Sequence, residues 1–156
     1  MKKPDSCRAC PWYGDGEGYC PDEVPPRAEV IFVCQNPGET EEVQARPLVG
    51  MTGQILRHQF VARHLTGHKM GYANIVKCRR QVEGRRSNDL PPIHTQEWRE
   101  IVTYCRPALD ESLARAPEAI VVLMGEHAVA ARTDLLARRG KKPKMLHLRG
   151  TFIADQ

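Results

Sequence analysis

Three short apolar runs, separated by longer helical patterns, set the strongest limit on how this chain can fold. The runs are rich in β-branched side chains and too short to be buried helices, which is typical of buried strands. They are residues 29–34 (EVIFVC), 72–76 (YANIV) and 119–124 (AIVVLM). Helical patterns begin at Thr52, Thr95 and Glu126 and end near Gly67, Ala116 and Arg139. The alternation predicts an α/β fold with a doubly wound, mainly parallel central sheet in three layers, α/β/α.

Two other stretches have weaker patterns. Residues 79–94 are polar and contain proline, so we expect them to form a long loop. Residues 145–153 have the pattern of a last short strand.

The chain length suits a single domain. With 156 residues, of which 41% are hydrophobic, there is enough apolar material for one core, and we expect one domain over residues 1–156. No apolar run approaches the roughly 18 residues that a membrane span needs, and no signal-peptide pattern follows the charged start. We therefore expect a cytoplasmic protein without membrane contact. In that compartment cysteines are more often metal ligands or buried thiols than disulfides.

Residues 1–28 are rich in Pro, Gly, Asp and Cys and have too little apolar surface to fold alone. We expect an irregular segment that an external staple holds in place. Cys7 and Cys10 form a C-x-x-C pair, which is used for zinc, for iron–sulfur clusters or, in a strand–turn–helix setting that is absent here, for redox chemistry. The candidates for further ligands are Cys20, Cys34, Cys78 and Cys105. Their spacing does not choose among them, although Cys34 ends a strand and is favoured as a small core residue.

The loops after the strands are the expected place for a ligand site, because ligands in open α/β sheets bind beyond the carboxyl ends of the strands. Those loops begin at Gln35, Lys77 and Gly125. Asn36 has a carboxamide that both donates and accepts hydrogen bonds, so it is suited to position a water or read a base edge. The alternative is that Asn36 serves only the turn geometry before Pro37 and Gly38.

The charge distribution is consistent with a polyanionic partner without demonstrating one. The net charge is +4, and basic residues form two clusters. These are Arg79, Arg80, Arg85 and Arg86, and Arg138, Arg139, Lys141, Lys142 and Lys144. The plain alternative for each cluster is a solvated surface.

Taken together, motifs along nearly the whole chain resemble the iron–sulfur, family 4-like branch of the uracil-DNA glycosylase superfamily. Besides Cys7-x-x-Cys10, five segments follow the order and patterns of that branch. They are residues 30–39 (VIFVCQNPGE), 46–56 (RPLVGMTGQIL), 72–79 (YANIVKCR), 105–109 (CRPAL) and 119–128 (AIVVLMGEHA). Each segment alone is a weak signal, whereas six in register are specific.

The resemblance implies a [4Fe–4S] cluster and leaves two free thiols. The implied ligands are Cys7, Cys10, Cys78 and Cys105, and the free thiols are Cys20 and Cys34. In this family the cluster is structural, and here it would staple the amino-terminal segment to the sheet and to a distant helix. The long interval between Cys78 and Cys105 indicates an insertion around residues 81–94. We expect the arginines there and just before it to bind DNA, namely Arg79, Arg80, Arg85 and Arg86.

The resemblance also implies a glycosylase site. Asn36 and Gln35 lie in the catalytic loop, where Asn36 is expected to position the attacking water. Base binding is expected from Asn74, which would bond the pyrimidine edge, from Leu48, which would pack on the ring, and from Gly38.

Three departures from the family pattern concern this site. Gln35 replaces the acidic residue linked to water activation, and an asparagine such as Asn36 is not a strong general base. Leu48 replaces an aromatic residue that stacks on the base. The late H-P-[ST] motif is absent before Gln156, so we expect a chain that is short at its carboxyl end or works without that histidine.

These observations lead to one main hypothesis and two alternatives. The main one is a monomeric glycosylase, prokaryotic or phage-encoded, that flips uracil or a related damaged base from single- or double-stranded DNA and hydrolyses its N-glycosidic bond. The first alternative is a catalytically inactive iron–sulfur protein that binds nucleic acid or a partner protein. The second is a zinc protein that uses Cys7, Cys10 and Cys20.

Overall fold

The computed structural model describes residues 2–15, 18–93 and 95–133. A 3₁₀ turn at Asp5–Cys7 precedes the regular elements. In chain order these are β1 (Val30–Cys34), α1 (Glu39–Gln44), α2 (Met51–Gln54), a π-helical stretch (Ile55–Val61), α3 (Ala62–His64), β2 (Met70–Asn74), β3 (Arg80–Val82), β4 (Arg85–Ser87), α4 (Gln96–Ala114), β5 (Ile120–Leu123) and α5 (Glu126–Arg132).

A parallel three-stranded sheet lies at the centre of the fold. Strand β1 is in the middle, with β2 on one side and β5 on the other. Cys34 pairs with Asn74 at the end of β2, and Val33 pairs with Leu123 at the end of β5. The predicted α/β class with a parallel sheet is therefore confirmed. Because the three strands end at one edge, the loops that follow them are gathered there.

Residues of β1 alternate between two apolar clusters, one on each face of the sheet. Ile31 and Val33 are fully buried in the larger cluster, together with the apolar residues of α4 and α5. Phe32 belongs to the smaller cluster with Tyr72 and with Leu56 of the π-helical stretch. Helical segments thus contribute to the core on both faces.

Helix α4 lies close to the range predicted for it, residues 95–116. Thr95 is its N-cap, because the Thr95 hydroxyl accepts a hydrogen bond from the backbone N–H of Trp98 at 3.2 Å.

Strand β2 begins two residues before the predicted run at 72–76. Met70 and Gly71 already pair with β1. Ile75 and Val76 instead donate their N–H groups, at 2.9 Å each, to carbonyls at the end of β1 and in the loop after it. The apolar pattern therefore continues past the end of the regular ladder.

The predicted loop at 79–94 contains the antiparallel hairpin of β3 and β4. Its turn residues, Glu83 and Gly84, have positive φ angles of 49° and 75°. This is the backbone of the two-residue turn that matches the twist of a hairpin. The sequence pattern missed both strands because they are polar on both faces.

Two helical features also differ from the sequence-based expectation. Helix α1 lies in an acidic run without an apolar period. The helix predicted from Thr52 contains the π-helical stretch, which shifts the faces of a helix. Leu56 is consequently buried, whereas Ile55 and Phe60 are 52% and 47% exposed.

The amino-terminal segment has little regular structure in its described parts, 2–15 and 18–28. Glu23 and Tyr72 exchange backbone hydrogen bonds of 2.8 and 2.9 Å, which cover part of the outer edge of β2. The extent of the domain, residues 1–156, stays a prediction.

Two further predictions fall wholly or partly outside the described residues. These are the end of the helix predicted to reach Arg139 and the strand predicted at 145–153. Of the helices described, none is long and apolar enough to cross a lipid bilayer.

Candidate functional site

Asn36 lies in the loop after β1 with one half of its carboxamide unsatisfied. Its Nδ2 donates to the carbonyl oxygen of Pro37 at 3.1 Å, which fixes the orientation of the amide. Its Oδ1 is buried and has no hydrogen-bond partner among the described residues. Gln35, the preceding residue, is exposed. Since burying an unpaired polar atom costs about 1–3 kcal/mol, Asn36 Oδ1 marks a position where a donor is needed.

Asn74 has a second unsatisfied group on the neighbouring strand. It ends β2 opposite Cys34 and is 2% exposed. Its Nδ2 is buried without a hydrogen-bond partner in the described parts of the chain. An unpaired acceptor on Asn36 and an unpaired donor on Asn74 therefore lie at the carboxyl ends of two adjacent strands.

A buried ion pair supports the backbone around Asn74. Asp22 accepts the backbone N–H of Asn74 at 3.1 Å and pairs with Lys77 at 2.6 and 2.7 Å. Lys77 also donates to the carbonyl oxygen of Asn74, and the side chains of the pair are 0% and 1% exposed. The segment before β1 thus holds the end of β2 in place through charge-assisted hydrogen bonds.

Leu48 has a left-handed backbone conformation, with φ of 53°. It is 6% exposed and packs with Phe32, Leu56 and Tyr72. A leucine in this conformation is strained by about 1–3 kcal/mol and needs the surrounding structure to hold it.

Arg57 and Gly53 both lie against the backbone carbonyl group of Leu48. Arg57 donates to the carbonyl oxygens of Leu48 at 2.9 Å and Pro47 at 2.8 Å, and its guanidinium stacks 3.6 Å from the ring centroid of Tyr72. A Cβ atom at Gly53 would lie 1.9 Å from the Leu48 carbonyl oxygen, so only glycine permits this approach.

Glu41 joins this loop to the loop that contains Asn36. Its carboxylate accepts the N–H groups of Val49 at 3.1 Å and Gly50 at 2.8 Å. The carboxylate also fills the space beside Gly38, where a Cβ atom would lie 2.7 Å from Glu41 Oε2. Gly38 therefore makes room for Glu41 in this structure.

The sequence-based reasoning missed Glu41, Arg57 and Gly53 as site residues. Glu41 lies in an acidic run, residues 39–42, without an apolar period, although a glutamate soon after Pro-Gly at a strand end is suited to the first turn of a helix. A glycine within a helical pattern, such as Gly53, is a signal of close backbone approach. No local pattern indicated Arg57.

Four cysteines from three parts of the chain line one small cavity of about 10 Å³. They are the predicted ligands Cys7, Cys10, Cys78 and Cys105. Burial raises the pKa of Cys78 to about 12 and that of Cys105 to about 11, and the neighbouring thiols add to both shifts. The four thiols are thus mutual neighbours in an apolar setting, made partly by Trp12 and Ile101.

Lys3 fixes the turn that carries Cys7 and Cys10. Its ammonium lies beside the same cavity and donates to the carbonyl oxygens of Trp12, Tyr13 and Asp15. In the described ranges no three side chains of the His, Cys, Asp and Glu types are arranged around a single metal ion. Four cysteines nevertheless match the ligand set of an iron–sulfur cluster.

Cys20 and Cys34 do not line this cavity. Burial raises the pKa of each to about 12. Cys34 lies 3.6 Å from the sulfur of Met124, at the carboxyl edge of the sheet.

The arginines predicted to bind DNA have different surroundings. Arg79 is 6% exposed and pairs with Glu42 at 3.2 Å. Arg80 is half-buried and pairs with Glu97 at 3.1 Å. Arg85 is exposed in β4, and the backbone of Arg86 follows it in the same strand.

Comparisons with known proteins identify the family of this chain. The sequence model of the uracil DNA glycosylase superfamily matches residues 21–153. The chain is 29% identical over 126 residues to a type-4 uracil-DNA glycosylase of Sulfurisphaera tokodaii, covering 79% of this chain and 51% of the relative. It is 26% identical to the type-4 enzyme of Pyrobaculum aerophilum, covering 88% and 64%, and 25% identical to that of Thermotoga maritima, covering 94% and 68%.

The chain spans about half the length of the first of these relatives. The family match covers most of the chain, including both asparagines that have unsatisfied groups. The chain therefore belongs to the uracil DNA glycosylase superfamily.

Proposed function

We propose that this chain is a DNA base-excision glycosylase that hydrolyses the N-glycosidic bond of uracil or a related damaged base. The observation that carries the proposal is the pair of unsatisfied buried groups, Asn36 Oδ1 and Asn74 Nδ2. The unpaired acceptor, Asn36 Oδ1, is suited to bind a water molecule. The unpaired donor, Asn74 Nδ2, is suited to bind a carbonyl oxygen of a base. The names of the similar type-4 enzymes support the same activity.

Asn36 would position the attacking water. Its Oδ1 accepts a hydrogen bond from the water, whose oxygen then bonds to C1′ of the deoxyribose. The bond between C1′ and the base nitrogen breaks, and its electron pair leaves with the base. Because asparagine is a weak base, the water would lose its proton only after the sugar has become strongly cationic, and that proton would pass through solvent to the departed base anion.

Asn74 would bind the departing base and select it. Its Nδ2 donates to a base carbonyl, which gains negative charge as the bond breaks, so the hydrogen bond strengthens during the reaction. Uracil has a carbonyl oxygen where cytosine has an amino group, and an amino group would face Asn74 with donor against donor. Leu48 would pack on the ring without the stacking that an aromatic residue supplies.

We also propose that the four cysteines of the cavity hold a [4Fe–4S] cluster. Their convergence and the four-thiol ligand set support this assignment. When bound, the cluster would supply a cross-link between the amino-terminal segment, the end of β2 and helix α4. No step of base removal passes through it.

We revise the set of arginines that is proposed to bind DNA. Arg80, Arg85 and Arg86 remain candidates for phosphate contacts. Arg79 is better explained as a structural residue, because its buried guanidinium already pairs with Glu42. Free cysteines suit a protein that acts in the cytosol, and we propose that it acts there as a monomer.

The decisive experiment uses a single-stranded oligonucleotide with one uracil, followed by alkali to cut abasic sites. We expect cleavage by the parent protein and a loss of about 100-fold or more for Asn36→Ala. Asn74→Ala should lose activity on uracil to a similar degree. Asn88→Ala, at an exposed position after β4, is the matched control and should cleave at the parent rate.

The inactive alternative predicts a different result. It requires a protein that contains iron and binds the oligonucleotide yet produces no cleavage above a buffer control. An Asn36→Ala variant as active as the parent would reject the role assigned to Asn36 while leaving the activity itself intact.

A further inference from the structure

The β3–β4 hairpin is attached to the cysteine-bearing segment at two points. Glu97, in the first turn of α4, accepts from Arg80 at 3.1 Å and from the indole N–H of Trp12 at 2.8 Å. Asp15 accepts the backbone N–H of Gln81 at 3.0 Å. Two carboxylates therefore connect the hairpin to the turn that follows Cys10.

That turn belongs to the wall of the thiol cavity. Trp12 is 3% exposed and lines the cavity with Cys7 and Cys10. The ammonium of Lys3 binds the carbonyl oxygens of both Trp12 and Asp15. The positions of the Trp12 indole and the Asp15 carboxylate thus depend on how this segment folds around the cavity.

The hairpin has few means of holding its own shape. It has three residues in each strand, and a two-stranded hairpin alone is marginally stable in water. Val82 is 38% exposed, and among the side chains that the structure describes neither apolar cluster includes a residue of the hairpin. Its order must therefore come largely from the contacts with Glu97 and Asp15.

The hairpin also presents positive charge. In its register Arg80 pairs with Ser87 and Val82 pairs with Arg85, so the side chains of Arg80 and Arg85 leave the same face. Arg80 is held by Glu97 at the base, whereas Arg85 lies exposed near the turn.

We propose that this hairpin is a phosphate-binding surface for DNA and that the cysteine-bearing segment orders it through Glu97 and Asp15. Loss of the metal cluster would then weaken DNA binding. This inference rests on the proposed function for the DNA substrate and for the cluster.

The test is a double-mutant cycle on DNA affinity, read by fluorescence anisotropy with a uracil-free single-stranded oligonucleotide. One arm is Arg85→Ala, and the other is the pair Glu97→Ala and Asp15→Ala. In the parent, Arg85→Ala should weaken binding roughly fivefold, as loss of one exposed ionic contact does. The slope of log K against log salt should fall by about 0.7.

In the Glu97→Ala and Asp15→Ala background, Arg85→Ala should have almost no further effect. The iron and sulfide content per chain of this double variant should equal that of the parent. An unchanged content would show that the hairpin has lost its contacts while the cluster is still bound. Removal of iron from the parent by a chelator should lower DNA affinity and likewise abolish the effect of Arg85→Ala. Glu111→Ala, an exposed change on α4, should leave the whole cycle unchanged.

Two results would overturn the inference. An equal effect of Arg85→Ala in both backgrounds would mean that the hairpin is ordered without these carboxylates. No effect of Arg85→Ala in the parent would mean that the hairpin does not contact DNA. Because the oligonucleotide lacks uracil, a protein that releases no base would fail the proposed function and still give a readable cycle.

Discussion

Arg57 donates its Nε–H to the carbonyl oxygen of Leu48 at 2.9 Å, and Leu48 has one of the positive φ angles of the described chain. The same guanidinium binds the Pro47 carbonyl, pairs with Glu23 at 2.6 Å and stacks on Tyr72. The conformation of the proposed base-packing residue is therefore set from outside the loop.

Arg57→Gln should loosen this loop. The variant loses the ion pair, the stacking and most of the hydrogen bonds, so we expect about 1–3 kcal/mol less free energy of unfolding. A looser loop should raise KM for a uracil oligonucleotide more than it lowers kcat. Urea denaturation and steady-state kinetics measure the two effects. Arg63→Gln, at an exposed position of α3, is the control, and equal behaviour of the two variants would contradict the assigned role.

Gly53→Ala should be destabilising although it places alanine in a helix. Helix propensity alone favours alanine over glycine by about 1 kcal/mol. The added Cβ would however lie 1.9 Å from the Leu48 carbonyl oxygen, so we expect a net loss of about 1–3 kcal/mol. Gly14→Ala is the matched control, because a Cβ there has no neighbour within 4 Å. Thermal unfolding of both variants decides the matter.

Cysteine substitutions should separate the four cavity thiols from the other two. Cys78→Ser and Cys105→Ser should purify with little iron, whereas Cys20→Ala and Cys34→Ala should keep the parent content. The measurement is iron, zinc and acid-labile sulfide per chain, together with visible absorption. A colourless parent with stoichiometric zinc, lost on Cys20→Ala, would reject the cluster in favour of the zinc alternative.

Asp22→Ala should strongly destabilise the end of β2. It leaves the Lys77 ammonium buried without its carboxylate, and breaking a buried pair in this way costs about 3–5 kcal/mol. Asp5→Ala removes the partner of Arg8 in an exposed pair and should cost no more than about 1 kcal/mol. Urea midpoints of the two variants that differ little would contradict the structural role of Asp22.

Glu23 should make stability depend on pH in the acidic range. Burial raises the pKa of Glu23, but hydrogen bonds from Arg57 and Arg46 outweigh it and hold the pKa below the usual value. A depressed carboxyl pKa stabilises the fold above the unfolded-state value of about 4.3, and this contribution disappears as pH falls through the folded-state pKa. The difference in urea midpoint between parent and Glu23→Gln should therefore shrink on acidification from neutral pH. A difference in urea midpoint that stays constant with pH would contradict this role of Glu23.

The sequence was informative where function depends on local pattern. Short β-branched runs predicted the strands, and the rule for strand ends placed Asn36 at the edge where the structure has it. Asn74 came from the motif alone. The four cavity cysteines were chosen by resemblance, and all four line one cavity of the structure. Their role as cluster ligands stays a prediction.

The sequence was uninformative where function depends on contacts between distant residues. Nothing in the local pattern around Arg57 indicates that it binds a carbonyl nine positions earlier, and Glu97 shows no sign of holding both Trp12 and Arg80. The hairpin was missed because its strands have no apolar face. Burial of Arg79 beside Glu42 likewise depends on tertiary packing, which the cluster of arginines concealed.

The sequence positions of the cavity cysteines set the order in which the cavity is completed during synthesis. Cys7 leaves the ribosome about 100 residues before Cys105. At translation rates of roughly 5–20 residues per second, the first two thiols wait about 5–20 s for the last one. The cavity can therefore form only after strands β1 and β2 and the first half of α4 have been made, so its completion has to wait for translation of the segment that carries Cys105.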